Sequence, residues 1–217
     1  MAGLKIAARL GVVAALATLG GAPAEAQAAD GPAQTGFYAA LRGYGSIEDQ
    51  NNFIFENSRE IAVALGYRAA PSVRLEAEFG SRRSDIVGLN GGTGVRGDAS
   101  VQTLGLHAFY DFRAGKKIRP FVGVGVGGAV LDFSFSGPAD ISPGFIVTGD
   151  DQDFSHYFDF FAGTSYHIND RWRLSASAEY VTLRDDSIDS NIGEIDGINR
   201  AYNYTVGVRY FFGANDR

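Results

Sequence analysis

Two glutamates at alternate positions, Glu76 and Glu78, follow Arg74, and further arginines recur at Arg42, Arg68, Arg82, Arg173 and Arg209. In an extended chain alternate residues share a face, so Arg74, Glu76 and Glu78 project together. Carboxylates and guanidiniums gathered on such faces suit either ion pairing across an enclosed space or a narrow path for ions. Burying any one of them unpaired would cost several kcal/mol. Pairing is therefore expected: Glu76 and Glu78 with Arg42 or Arg209, and Asp111, Arg173 and Glu179 within the same inward set.

Other patterns carry less chemistry. The run GVGVGG (123–128) matches G-x-G-x-x-G, but a dinucleotide site needs a helix to open there. Its glycines alternate with valines, which predicts a strand whose glycine face makes room for bulky neighbours. Hydrolysis by a nucleophile, a base and an acid needs all three on one face. His107, His156 and His167 are scattered, and Ser155, adjacent to His156, would point the opposite way. The segment DDSIDSNIGE lacks the alternating acidic pattern and turn glycine of a calcium loop. NYT (203–205) is a formal glycosylation sequon inside a strand. No catalytic set, metal site or cofactor is expected.

The elements that must position these residues are strands. Residues 1–28 read as a cleaved secretory signal: Lys5 and Arg9, then a short apolar stretch, then two small-x-small sites ending at Ala26 and Ala28. Residues 29–217 are expected to form one domain. Without Lys5, Arg9 and Glu25 of that signal, 17 basic and 24 acidic side chains remain, a formal charge of −7. Such a charge argues against nucleic acid as partner. There is no cysteine, hence neither a disulfide nor the residue a lipoprotein acylates. Beyond residue 28 no apolar run approaches 18 residues, so a membrane could be crossed only by a closed barrel.

Eight segments alternate at period two: 36–46, 59–68, 73–83, 101–112, 118–136, 154–168, 172–184 and 202–212. In the fifth the parity is unclear, and a bulge is expected near Gly128. Connections after the second, fourth and sixth are short (AAPS, RAGKK, NDR). Those after the odd-numbered strands are long and polar, roughly 11–17 residues each, as in transmembrane barrels. Outward positions near the short turns hold Phe37, Tyr67, Tyr110, Phe112, Tyr166, Trp172, Tyr210 and Phe212. Toward the long loops lie Phe79, Phe158, Tyr180, Tyr202 and Tyr204, with small aliphatics between the two groups. Two aromatic girdles around an apolar belt predict an all-β, eight-stranded antiparallel up-and-down barrel facing lipid.

Over residues 30–212 the chain resembles the small eight-stranded outer-membrane barrels of Gram-negative bacteria, the opacity-like and porin-family proteins related in pattern to the transmembrane domain of outer-membrane protein A. The sharpest motif is the terminal signal read by the barrel-assembly machinery, here Thr205, Gly207, Tyr210 and Phe212, followed by the additional residues GANDR. The resemblance implies residence in the outer membrane among lipid and lipopolysaccharide, and contact with the assembly machinery during biogenesis. It also implies a structural or surface-interaction role, to which the inward charges add the expectation of a lumen closed by ion pairs. A small channel for ions or solutes is the alternative, and a lipid A-modifying enzyme a more remote one. The long loops are acidic, with Glu48, Asp49 and Glu56 in the first and Asp185, Asp186, Asp189, Glu194 and Asp196 in the last. They are expected to repel heparin-like polyanions, to attract divalent cations and to offer a surface for a host or partner ligand, as do the apolar tips FIF, IVGL and GFIV.

Overall fold

The computed structural model describes residues 35–48, 53–89, 94–113, 116–140, 142–184, 187–190, 193–196 and 200–212. The expected signal, residues 1–28, lies outside them. Ten strands follow in chain order: β1 (Gly36–Glu48), β2 (Phe53–Ala70), β3 (Val73–Leu89), β4 (Arg96–Asp111), β5 (Ile118–Ala139), β6 (Ser142–His167), β7 (Trp172–Arg184), β8 (Ser187–Ser190), β9 (Gly193–Asp196) and β10 (Arg200–Phe211). Eight of them close a barrel in the order β1-β10-β7-β6-β5-β4-β3-β2, and β8 and β9 form a separate hairpin. Every neighbouring pair in the barrel is antiparallel. The first and last strands pair from Tyr38↔Phe211 to Glu48↔Ala201, so the barrel has no free edge.

Two expectations need correction. No bulge interrupts β5 at Gly128: its pairing with β4 and β6 runs unbroken through Leu104↔Gly128↔His156. Parity looked ambiguous because Gly127 and Gly128 lack the side chains that would mark inside from outside. Strand also replaces much of the long loops expected after the first, third and fifth barrel strands: β1 runs to Glu48 and β2 begins at Phe53, β3 runs to Leu89 and β4 begins at Arg96, β5 runs to Ala139 and β6 begins at Ser142, and the β8–β9 hairpin follows β7. The tips IVGL and GFIV accordingly lie within β3 and β6, and FIF opens β2.

What hid the extensions of β3 and β5 is an inversion of polarity along the strand. On β5 the outward residues Val122, Val124, Val126 and Val130 give way to Asp132, Ser134 and Ser136. The inward residues change the other way, from Arg119, Gly123 and Gly125 to Leu131, Phe133 and Phe135. β3 does the same, from outward Leu75 and Phe79 to Arg83 and Asp85, and from inward Glu76 and Glu78 to Ile86. Where the surroundings are apolar the strand turns its apolar face out. Where they are aqueous it turns that face in, because burying apolar area is then favourable. Above the belt the inner face closes into a small core containing Ile86, Leu89, Val95, Leu131, Phe133, Phe135 and Val147. Each fully buried side chain of this kind contributes about 1.5–3 kcal/mol.

Candidate functional site

An eight-stranded barrel has an interior that side chains can fill, and here they fill it in layers. Nearest the short-turn rim, Asp111 is wholly buried. It accepts hydrogen bonds from Arg68 Nη2 at 2.7 Å and from Arg74 Nε at 3.0 Å. Arg74 also donates through Nη1 to Glu76 Oε1 at 2.6 Å. The same oxygen accepts the Tyr38 hydroxyl at 2.6 Å. Arg42, crossing from β1, pairs with both Glu76 and Glu78. Glu78 further accepts a hydrogen bond from the Tyr44 hydroxyl at 2.8 Å. One connected network thus spans Arg68, Asp111, Arg74, Glu76, Arg42 and Glu78.

Its geometry follows from small residues on neighbouring strands. Across β2, Glu76 faces Gly66 and Glu78 faces Ala64. A Cβ on Gly66 would overlap the Tyr38 ring. Gly207, opposite Arg42 on β10, leaves the Arg42 side chain room, since a Cβ there would stand 3.1 Å from Arg42 Cγ. Alongside the network Phe109, Phe121 and Phe161 form a cluster, with ring centroids 5.3 Å apart for Phe109–Phe161 and 5.8 Å for Phe109–Phe121. The Arg74 guanidinium lies 4.4 Å from the Phe109 ring centroid, a cation–π contact.

The structure brings Arg42, Arg74, Glu76 and Glu78 together, but the expected pairing of Arg173, Glu179 and Arg209 is corrected. All three are buried in the lumen. Glu179 accepts a hydrogen bond from Asn203, its cross-strand partner, at 2.9 Å, because inward Ser177 and Ser175 separate it along β7 from Arg173, the cross-strand partner of Arg209. Arg173 and Arg209 lie one layer below Glu76. Arg173 stacks on the Phe211 ring at 3.6 Å, and Arg209 stands 5.9 Å from the Phe121 ring.

A buried pair escaped the sequence reading. His107 Nε2 lies 2.9 Å from Asp159 Oδ2, with the Phe161 ring edge-on to the imidazole at 5.4 Å. Both flank Gly125, which is the cross-strand partner of His107 on one side and of Asp159 on the other. A Cβ on Gly125 would overlap the His107 ring and the Asp159 carboxylate, one on Gly123 the Phe109 ring, and one on Gly127 the Tyr157 ring. The glycine face therefore makes room, as its alternation with valine implies. The large inward residues at the same height on β4 and β6 were the signal available. His156 and Ser155 point to opposite sides, Ser155 inward and His156 outward.

Above this level a cavity of about 70 Å³ is lined by Glu60, Glu78, Asp159, Glu179, Asn203 and Tyr157, among others. Leu131 and Ala129 of the upper core form part of its wall. Among the described residues no cluster of His, Asp and Glu is arranged to hold a metal ion. On the outer surface Phe37, Tyr67, Tyr110, Phe112, Tyr166, Trp172 and Phe212 are exposed. Several touch across strands, as in Phe37–Tyr67 at 4.8 Å and Trp172–Tyr210 at 4.8 Å. Of the terminal motif, Thr205 faces the lumen while Phe212 faces out.

Comparison with known proteins adds location. Residues 14–212 match the family model described as the outer membrane protein beta-barrel domain. Among solved structures, the chain is similar to neisserial surface protein A at 16% identity, covering 81% of this chain and 97% of that one, with a TM-score of 0.50. It is similar to Ail, the attachment invasion locus protein of Yersinia pestis crystallised with the heparin analogue sucrose octasulfate, at 16% identity, 82% and 100% coverage and a TM-score of 0.50. OprG of Pseudomonas aeruginosa aligns at 15% identity, 83% and 98% coverage and a TM-score of 0.51. No curated protein sequence matches.

Proposed function

The chain belongs to the outer membrane protein beta-barrel domain family, and from that premise we propose that it works as a closed barrel whose role is structural or lies at the cell surface. It is an integral outer-membrane protein of the Gram-negative type, with the short turns on the periplasmic side. What carries the proposal is the filling of the lumen at three heights. Arg68, Arg74 and Asp111, packed against Phe109 and Phe121, fill it toward the short turns, the Arg42–Glu76–Glu78 pairs in the middle and the apolar core around Phe133 above. An ion would have to break a buried ion pair and pass between aromatic rings and the guanidiniums packed on them.

Surface interaction is favoured by the strands that rise above the belt and present polar, acidic outer faces, such as Asp132, Asp150 and Asp98. Ail was crystallised with a polyanionic heparin analogue. The acidic outer segments here suit the opposite charge, a cationic partner surface or divalent cations shared with lipopolysaccharide phosphates. Outward aromatics anchor the barrel at both interfaces, and Thr205, Gly207, Tyr210 and Phe212 serve as the assembly signal.

A second reading, a narrow cation path, rests on the carboxylate-lined cavity above the network. Planar-bilayer recording of the purified, refolded chain decides between the two. Silence is expected. Steady, reproducible unitary conductance would refute the closed-lumen reading. Cells lacking the protein are expected to show altered envelope sensitivity or surface binding.

A further inference from the structure

The periplasmic half of the lumen carries more positive charge than its carboxylates neutralise. Arg68, Arg74, Arg119, Arg173 and Arg209 all project into it and are buried. Asp111 is shared by Arg68 and Arg74, and Glu76 by Arg74 and Arg42. Among the described residues no carboxylate pairs with Arg119, Arg173 or Arg209, although each is only 3% exposed. Among the described residues, Nε and Nη1 of Arg173, Nε and Nη2 of Arg209 and Nη1 of Arg119 find no hydrogen-bond acceptor. Arg119 uses Nε on the Lys116 carbonyl at 2.8 Å. Nε2 of His167, the cross-strand partner of Arg173, is likewise without a partner.

The arrangement is unfavourable as it stands. Arg173 and Arg209 are directly opposite each other on β7 and β10, where like charges repel. Arg68 and Arg173 both lie against the single Phe211 ring, at 5.5 and 3.6 Å from its centroid. An aromatic face attracts a cation but does not neutralise it. Buried ions persist when they are paired and their donors are satisfied. Water would satisfy the N–H groups and leave the charge. An anion does both.

We infer that the periplasmic arginine layer binds a small inorganic anion of the chloride class, held by the free N–H groups of Arg173 and Arg209 with Arg119 alongside. A small ion suits the site because Phe121 and Phe211 crowd the layer and Tyr38 stacks on Phe211 at 4.6 Å. The inference goes beyond the surface role proposed above and does not depend on it.

The test uses the chain from Ala29 onward, refolded in uncharged maltoside micelles, with unfolding by urea followed at fixed ionic strength. Sodium gluconate, whose anion is too bulky for the layer, is replaced stepwise by sodium chloride. The unfolding midpoint is expected to rise saturably with chloride, and bromide is expected to substitute. In Arg173→Gln and Arg209→Gln the chloride response is expected to fall at least severalfold, while both variants fold in gluconate because a repelling cation has been removed. Bromide-soaked crystals of the unaltered protein supply a measurement free of variants, with an anomalous peak expected between Arg173 and Arg209. A chloride response that is absent from the unaltered protein, or undiminished in both variants, overturns the inference, as does a bromide peak lying elsewhere. A chain ending at Phe212 is expected to respond as the longer one does. If the response appears only after that truncation, a carboxylate of the terminal residues is the counter-ion and the inference fails.

Discussion

Replacing Arg42 by methionine removes the one side chain that meets both central carboxylates. Glu76 keeps Arg74 Nη1 and the Tyr38 hydroxyl, each at 2.6 Å. Glu78 is left with the Tyr44 hydroxyl at 2.8 Å. Removing one partner of a buried pair typically costs about 3–5 kcal/mol, most of it the charge left behind. The loss should therefore fall chiefly on Glu78, and Arg42→Met combined with Glu78→Gln should recover a large part of it. Without Arg42, the same reasoning makes Glu76→Gln recover less, because Arg74 and Tyr38 still hold that carboxylate. The assay is urea unfolding of the refolded barrel in micelles, followed by the fluorescence of Trp172, the sole tryptophan. A loss below about 1 kcal/mol for Arg42→Met, the scale of an exposed pair, would refute the account of the network as a desolvated unit. Equal recovery by Glu76→Gln and Glu78→Gln would refute the division of partners.

Three further outcomes follow from the layers. Phe133→Ala should cost about 3–5 kcal/mol, the range for truncating a large buried side chain, whereas the outward Ser134→Ala should stay within about 0.5 kcal/mol; chemical unfolding measures both. Gly125→Ala must displace the His107 ring or the Asp159 carboxylate and should cost about 1–3 kcal/mol, visible as an altered His107 imidazole resonance, while Val124→Ala on the lipid face should leave that resonance unchanged. Phe212→Ala or Tyr210→Ala should lower the amount of heat-modifiable barrel in the outer membrane. Phe211→Ala, which removes a buried ring stacked on Tyr38, should destabilise the folded barrel by about 3–5 kcal/mol yet assemble; more damage to assembly from Phe211→Ala than from Phe212→Ala would overturn the division of roles on β10.

Much of the barrel was legible because parity is a local property. Alternate residues of a strand face opposite ways whatever the partner, so Glu76, Glu78, Arg209 and Phe211 could be placed inside, and Phe37, Trp172 and Phe212 outside, from sequence alone. The apolar belt, its aromatic borders and the short turns then left a closed barrel as the membrane-spanning solution. The strand extensions were hidden because the expected pattern was held to one polarity. Val130 faces out as an apolar residue and Leu131 faces in as one, and the solvent on the outer side changes between them.

Only the tertiary structure decided who meets whom inside. Arg42 and Arg209 stand on adjacent strands and were equal candidates for the glutamates. The height at which each enters the lumen depends on the registers of β1 with β10 and β2 summed around the closed sheet. Arg209 shares the cross-strand row of Ala40, Ala64 and Glu78, but the tilt of barrel strands shifts the height along such a row, so Arg42 meets Glu76 and Glu78 while Arg209 stands beside Arg173. The registers also bring His107 and Asp159 together across Gly125, from strands far apart in sequence. Parity says which face a residue occupies. Ion pairing depends on a few ångströms of height along the axis, which closure of the barrel sets.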